Sequence, residues 1–128
     1  MLSCLCSCLF LDIFAFLSSH LASHIHTNDH QGVRQIKQTQ LNPVYLFISP
    51  PTLSQLRNRL RGRGTETETT LAKRLSTALK EVEYAKTGAH ELVIVNDDLD
   101  RAYSLFEKVA LGEKIEGDRL PPLDDEEN

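Results

Sequence analysis

Two uninterrupted apolar runs mark buried strands in this chain. Val44-Tyr45-Leu46-Phe47-Ile48 is rich in β-branched and aromatic residues and is closed by Ser49-Pro50-Pro51. The second run, Leu92-Val93-Ile94-Val95, is followed at once by Asn96-Asp97-Asp98, a turn whose side chains suit the capping of a helix. Because neither run alternates with polar residues, both are typical of strands that are buried on two faces in a parallel sheet.

The segments after these strands repeat their apolar residues at helical spacing. Thr52 can cap a first helix that ends at Gly62. A capping box of Thr65 and Glu68 begins a second helix that continues to about residue 86, and a third helix ends at Gly112. The predicted apolar positions of the three helices are Leu53, Leu56 and Leu60; Leu71, Leu75, Ala78, Leu79, Val82 and Ala85; and Leu99, Ala102, Tyr103, Phe106 and Val109.

The order of these elements is strand, helix, loop, helix, strand, helix. Strands that alternate with helices predict the α/β class, with a doubly wound parallel sheet that carries helices on both faces. A sheet of two strands leaves edges that further strands normally cover, so we interpret the pattern as one half of an incomplete domain. The same exposed edges predict aggregation, or a partner that completes the sheet.

The two ends of the chain differ in composition from its middle. In the leader, residues 1–30, the stretch from residue 1 to about residue 22 is apolar and rich in Ser and Cys, but Asp12 interrupts the run and no Lys or Arg precedes it, which argues against a membrane span or signal peptide. The three cysteines and four histidines of this leader lack any usual zinc spacing, so we expect no metal site. Residues 113–128 are charged and contain Pro121-Pro122, and we expect a disordered acidic tail.

Positive charge is concentrated in the middle of the chain. Eight Lys or Arg residues stand against two acids between positions 31 and 74, although the whole chain has a net charge of −4. Four arginines fall within residues 57–63 and border a loop with two glycines, which suits bidentate binding of phosphate oxygens. Phosphate esters and nucleic acid are both candidate ligands. Since no aromatic residue falls between positions 48 and 83 to stack on bases, nucleic acid is disfavoured.

Six short motifs between residues 31 and 112 occur in an order that is more specific than any one motif alone. They are Gln31-Gly32-Val33-Arg34, Phe47-Ile48-Ser49-Pro50-Pro51, Gly62-Arg63-Gly64-Thr65-Glu66-Thr67-Glu68, Lys73-Arg74-Leu75, Glu83-Tyr84-Ala85 and Val95-Asn96-Asp97-Asp98-Leu99. In this order they resemble the C-terminal half of guanylate kinase. The resemblance implies a sheet of the P-loop NTPase type, as in nucleoside monophosphate kinases. Residues 31–112 are then a partial kinase domain, and residues 62–68 are its lid.

The resemblance implies ATP-dependent phosphorylation of GMP to GDP, with ATP and Mg²⁺ as cofactors of the intact family. In the family, the lid arginines that match Arg59 and Arg63 close over the phosphates of ATP. The arginine that matches Arg74 reaches between donor and acceptor phosphates, and Asn96 matches an asparagine beside the adenine. Arg63 and Arg74 are therefore candidate catalytic residues, and all four are candidate nucleotide-binding residues. The neighbouring cations are expected to be solvated: Arg57, Arg61 and Lys73.

The chain departs from the guanylate kinase pattern in its phosphate-binding parts. These kinases hold the β- and γ-phosphates with a Gly-x-x-x-x-Gly-Lys-Ser/Thr loop, and no Gly-Lys pair occurs in the 128 residues. The inserted subdomain that binds GMP is also missing. Before Gln31, Thr27 replaces the first of two acids in the family, and Asp29 falls at the second.

These departures predict a polypeptide that is not a working kinase by itself, and they put its binding of ATP and Mg²⁺ in doubt. We interpret it as a truncated product or a mis-drawn gene model, in which residues 1–30 derive from out-of-place sequence. The alternative is a catalytically inactive guanylate-kinase-like module that binds protein partners. Retention of the four candidate residues favours the first interpretation. The lack of cysteine beyond the leader fits the reducing cytoplasm.

Overall fold

The elements of the fold follow the predicted alternation of strands and helices. The computed structural model describes residues 3–6, 25–28, 30–40, 43–62, 64 and 67–123. For residues 3–6 and 25–28 we describe the backbone alone. The elements in chain order are β1 (Ser3–Cys6), β2 (Ile25–Asn28), α1 (His30–Lys37), β3 (Val44–Ser49), α2 (Leu53–Gly62), α3 (Glu68–Lys86), β4 (Leu92–Val95) and α4 (Leu99–Ala110).

The described strands form one parallel sheet in the order β2-β1-β3-β4. The central strand β3 pairs with β1 on one side, where Leu46 lies opposite Leu5, and with β4 on the other, where Ile48 lies opposite Ile94. The α/β class and the parallel sheet are therefore as the sequence predicts. The completeness of the sheet stays a prediction.

Strand β3 is buried on both faces, which explains its uninterrupted apolar sequence. Its alternate residues Leu46 and Ile48 point to the face covered by α4, and both are at most 1% exposed. Tyr45 and Phe47 point to the opposite face, which the other three helices cover. The helices of the described chain thus lie on both faces of the sheet, which confirms the doubly wound arrangement.

Three elements of the fold have no counterpart in the sequence prediction. Helix α1 was not expected because Gly32 lies in its first turn and its apolar residues are few, yet Val33 is fully buried. Strands β1 and β2 come from the leader that we expected to be unrelated sequence. Their short polar or cysteine-rich stretches carry little strand signal, and their place in the sheet depends on the pairing of β1 with β3.

The N-terminus of α3 is capped two residues later than predicted. Thr67 is the N-cap, and it exchanges side-chain and backbone hydrogen bonds with Thr70 in place of the predicted Thr65 and Glu68 pair. A threonine hydroxyl both donates and accepts, so Thr70 can take the role that Glu has more often at this position. Two predicted core positions are also exposed, Leu79 at 38% and Leu99 at 49%.

The segment after α4, which the sequence predicts to be disordered, makes contacts with the rest of the fold as far as residue 123. The backbone N–H of Asp118 donates to the carbonyl oxygen of Val93 at 2.7 Å. Farther on, Leu123 is 4% exposed in the core that also contains Phe47. The apolar residues between the charges anchor this segment, and composition alone does not reveal them. The remaining predicted tail, residues 124–128, lies outside the described residues.

His90 is buried where the chain enters β4. Its ring lies 5.2 Å from that of Phe47 and 5.8 Å, edge-on, from that of Tyr84. Neither ring nitrogen has a hydrogen-bond partner among the described residues. Burial, and secondarily the charge of Lys37, lowers the pKa of His90 from its ordinary 6.5 to about 4.

We expect the folded chain to lose stability as the pH falls from 6.5 towards 4. In that window the unfolded chain binds a proton at His90 and the folded chain does not, so the loss approaches about 3 kcal/mol. Urea unfolding followed by circular dichroism at several pH values measures it. The variant His90→Phe, which keeps an aromatic ring and removes the titration, should flatten the dependence. If the free energy of unfolding changed with pH in the same way in both proteins, His90 would not be the cause of the pH dependence.

Candidate functional site

The candidate site lies where the carboxyl ends of β3 and β4 meet. Strand β3 ends at Ser49 and continues into Pro50-Pro51, and β4 ends at Val95 and continues into Asn96. In parallel α/β sheets ligands bind outside the carboxyl ends of the strands, because the loops and helix starts gather there. Two of the predicted site residues reach this edge.

Asn96 is held at this edge by the sheet itself. Its backbone N–H donates to the carbonyl oxygen of Ser49 at 2.8 Å, which extends the pairing of β3 and β4 by one residue. The residue is 6% exposed. The prediction that Asn96 lies directly after a strand, in the turn before a capped helix, agrees with this position.

Arg59 contacts the Asn96 turn directly. Its Nη1 donates to the backbone carbonyl oxygen of Asn96 at 3.0 Å, across 37 residues of sequence. Helix α2 makes this contact possible because the buried side chains of Leu56 and Leu60 fix the helix against the core, and Arg59 lies beside that buried face. The hydroxyl of Thr52 accepts from the N–H of Gln55 and caps the helix as predicted.

Arg101, which the sequence analysis did not single out, binds the same turn from α4. Its guanidinium donates to the carbonyl oxygen of Val95 at 3.3 Å, to Asp97 at 3.2 Å and to a carboxylate oxygen of Asp118. The hydrogen bond to Asp118, followed by the charges of Asp118 and Asp97, raises the pKa of Arg101. Asp98 caps α4 by accepting from the N–H of Arg101 at 2.8 Å, as the sequence predicts.

Burial opposes ionisation of Asp118, but its hydrogen bonds outweigh that effect. The bond from Arg101, the bond from the N–H of Val95 at 2.8 Å and the charge of Arg101 together lower the pKa of the Asp118 carboxyl. The turn after β4 is therefore held by a guanidinium on each side, Arg59 from α2 and Arg101 from α4. The sequence could not reveal that Arg101 and Asp118 hold this turn together, because the two residues are far apart along the chain.

The other predicted site residues belong to the lid and the helix after it. Arg63 lies outside the described residues, as does Asp29. Arg74 is exposed on α3, and Lys73 beside it is also exposed, as expected. The lid glycine Gly64 has a φ of +67°, a left-handed conformation that favours glycine.

The two arginines expected to be solvated differ in exposure. Arg61 is exposed, and its guanidinium lies 3.9 Å from the carboxylate of Glu68 at the start of α3. Such an exposed ion pair contributes little to stability. Arg57 is half-buried and so is less solvated than expected.

A separate open groove of about 510 Å³ lies between α1 and α3. Arg34 borders it with its guanidinium 4.8 Å from the centre of the Tyr84 ring, and Leu79 also lines it. Of the predicted site residues that the structure describes, neither Arg59, Arg74 nor Asn96 borders the groove. The groove is thus distinct from the carboxyl edge of the sheet.

The described residues contain no group of three or more His, Cys, Asp or Glu side chains placed to bind a metal ion. Among the same residues, no helix has the length and hydropathy that a membrane crossing requires.

The fold defines an α/β protein with a doubly wound parallel sheet, and comparison with known families is more specific. The family model for guanylate kinase matches residues 24–111. The chain belongs to the guanylate kinase family. The match begins seven residues before the segment that carries the sequence motifs, and it therefore includes β2.

Individual relatives agree with this assignment. The chain is 52% identical over 88 residues to guanylate kinase of Sus scrofa and 50% identical over 88 residues to that of Homo sapiens, in each case across 68% of this chain and 44% of the relative. It is 44% identical over 86 residues to guanylate kinase of Schizosaccharomyces pombe, across 66% of this chain and 43% of the relative. The chain thus spans less than half the length of these relatives.

We expect Arg59→Ala to destabilise the fold by about 1.5 kcal/mol, because it removes a charged donor from a partly buried carbonyl oxygen. Arg61→Ala is the matched control on the same helix, and it should lower the free energy of unfolding by no more than about 0.5 kcal/mol. Urea unfolding at pH 7 measures both values. Equal effects of the two substitutions would show that the Asn96 contact contributes nothing specific.

Proposed function

We propose that this chain carries the ATP-side part of an ATP:GMP phosphotransferase. In this proposal Arg59, Arg63, Arg74 and Asn96 contact the nucleotide, and Arg63 and Arg74 act on the transferred phosphoryl group. The observation that carries the proposal is the hydrogen bond from Arg59 to Asn96, which joins two of these residues at the carboxyl edge of the sheet. Membership of the guanylate kinase family supports the choice of reaction.

Phosphoryl transfer requires positioning and neutralisation of charge more than covalent chemistry by the protein. A guanidinium donates up to five N–H bonds in one plane, so Arg59 can donate to Asn96 and still bind a phosphate oxygen. Arg59 lies on α2, which precedes the lid in the sequence, and Arg74 lies on α3, which follows it. In the proposed closed state, Arg63 and Arg74 stabilise the negative charge that is shared between the leaving and accepting oxygens.

The lid supplies the movement that this arrangement needs. Gly62 ends α2, and Gly64 follows in a left-handed conformation, so the backbone between α2 and α3 contains two residues without a Cβ atom. A change at these glycines would move Arg63 relative to Arg59, which the Asn96 contact holds in place. Closure of this kind brings charged groups onto the phosphates and excludes water.

Mg²⁺ enters the proposal only as the companion of ATP. The described residues include no cluster of carboxylate, imidazole or thiolate groups suited to a metal ion, so we assign no step to a metal site of this chain. The ion would neutralise phosphate charge when bound with ATP. We place the reaction in the cytoplasm as part of the same proposal.

The proposal includes the inactivity of the 128-residue polypeptide by itself. The sequence contains no Gly-Lys pair and thus no Gly-x-x-x-x-Gly-Lys loop to bind the β- and γ-phosphates. The loss of one well-placed donor costs roughly two to three orders of magnitude in rate, and this loop supplies several.

In a chimera, we expect the arginines of this chain to support catalysis. The chimera replaces the matching 88-residue segment of the Sus scrofa relative with the corresponding segment of this chain. Arg63→Ala or Arg74→Ala in the chimera should lower kcat by roughly 10²- to 10³-fold, because each removes a cation from the transferred phosphoryl group. Coupled ADP-release kinetics with ATP and GMP measure the effect.

Lys73→Ala is the matched control, since Lys73 is an exposed cation next to Arg74. Its kcat should stay within about twofold of the chimera, as for a cation that does not touch substrate. Equal rates for Lys73→Ala and Arg74→Ala would contradict the catalytic assignment. A chimera without activity would favour the alternative of an inactive interaction module.

The unmodified 128-residue protein should release no ADP above the blank in the same assay with ATP, Mg²⁺ and GMP. A circular dichroism spectrum with the helix content of the structure must accompany the measurement, so that an unfolded sample is not mistaken for an inactive one. Turnover in the range of about 1–100 s⁻¹, ordinary for kinases, would refute the proposed inactivity.

A further inference from the structure

Strand β4 is the last strand of the described sheet, and its outer edge has no strand beside it. Unpaired N–H and carbonyl groups along such an edge bind other chains or water. In this structure residues 116–118, which we call the strap, lie against that edge. The strap is part of the segment that the sequence predicts to be disordered.

The strap makes two hydrogen bonds with the backbone of β4. The N–H of Asp118 donates to the carbonyl oxygen of Val93 at 2.7 Å, and the N–H of Val95 donates to Oδ2 of Asp118 at 2.8 Å. One residue of the strap therefore satisfies both a donor and an acceptor of the open edge, as a paired strand would.

Gly117 allows the strap to approach this closely. A Cβ atom at position 117 would lie 3.3 Å from both the backbone nitrogen and the carbonyl oxygen of Val93. Those are backbone atoms of a paired strand, so they cannot move aside as a flexible side chain could. A larger residue at position 117 would push the strap away from β4.

The Asp118 carboxylate also connects the strap to the turn that carries Asn96. Its other oxygen accepts from Arg101, and the same guanidinium donates to Val95 and Asp97. Asp97 in turn accepts from the N–H of Asp98 at 2.8 Å. Beyond the strap, the buried side chain of Leu123 fixes the segment in the core.

We propose that the strap holds the turn after β4 in place, with Asp118 as a positioning residue that acts through Arg101 and Val95 on Asn96. The hydrogen bonds that cover the β4 edge are then the same ones that keep Asn96 in position. The part of this inference that concerns nucleotide binding rests on the proposed function of Asn96. The part that concerns the strap rests on the hydrogen bonds alone.

Amide hydrogen exchange of the full chain, followed by NMR, tests the strap without any ligand. Asp118→Asn removes the charge that holds Arg101, and Gly117→Val removes the space that the strap needs. Either should speed exchange at the Val95 amide about fivefold or more, because its acceptor moves away. Asp118→Glu, which keeps the charge, should restore part of the protection.

Matched controls separate this effect from general changes of charge or size. Asp100→Asn removes an exposed acid from the first turn of α4, and Glu116→Val places the same side chain one residue earlier at an exposed position. Neither should change exchange at Val95 by more than about twofold. If exchange at Val95 were unchanged in both Asp118→Asn and Gly117→Val, the proposal that the strap holds the turn after β4 would be wrong.

Titration of ATP into the full chain, observed at the Asn96 side-chain amide signals, tests the positioning role. Asp118→Asn should weaken binding at least about fivefold, and Asp100→Asn should not. Equal affinity in the wild type and Asp118→Asn would overturn the positioning of Asn96. If ATP leaves the Asn96 signals of the wild type unchanged, the proposed contact between Asn96 and the nucleotide is wrong. The exchange experiment then tests by itself whether the strap holds the turn after β4.

Discussion

The burial of β3 on both faces is the constraint on which the rest of this structure depends. Leu46 and Ile48 require an apolar layer on one side, and Tyr45 and Phe47 require one on the other. Helices on both faces of a parallel sheet meet that requirement. The same arrangement brings the carboxyl ends of β3 and β4 to one edge, and this is why a candidate site forms there.

At that edge, charged side chains hold a backbone turn in place. Arg59 donates to the carbonyl oxygen of Asn96, and Arg101 donates to the carbonyl oxygen of Val95. Hydrogen bonds from a charged donor to a partly buried acceptor are stronger than neutral ones. A loop fixed in this way loses little further conformational entropy when it binds a ligand.

Much of the described fold follows from local sequence. The bounds of α2, α3 and β4 agree with the periodicity and caps to within a few residues, and Asn96 was correctly placed in the turn after β4. The misses have physical causes. Leu79 and Leu99 have the right spacing for a core stripe, yet they are 38% and 49% exposed, because helical spacing does not show which turns of a helix other elements cover. Helix α1 has a weak intrinsic signal and forms because Val33 is buried against the sheet.

The sequence by itself determined the class of the fold, the helix and strand order from residue 44 to residue 112, and the family whose motifs the chain carries. These features are encoded locally, in periodicity, caps and short motifs. Only the tertiary structure decided that Arg59 contacts Asn96, that Arg101 and Asp118 hold the same turn, and that residues 116–118 lie against the edge of β4. Such contacts join residues that are far apart in sequence, and no local pattern specifies which of several arginines or aspartates will meet.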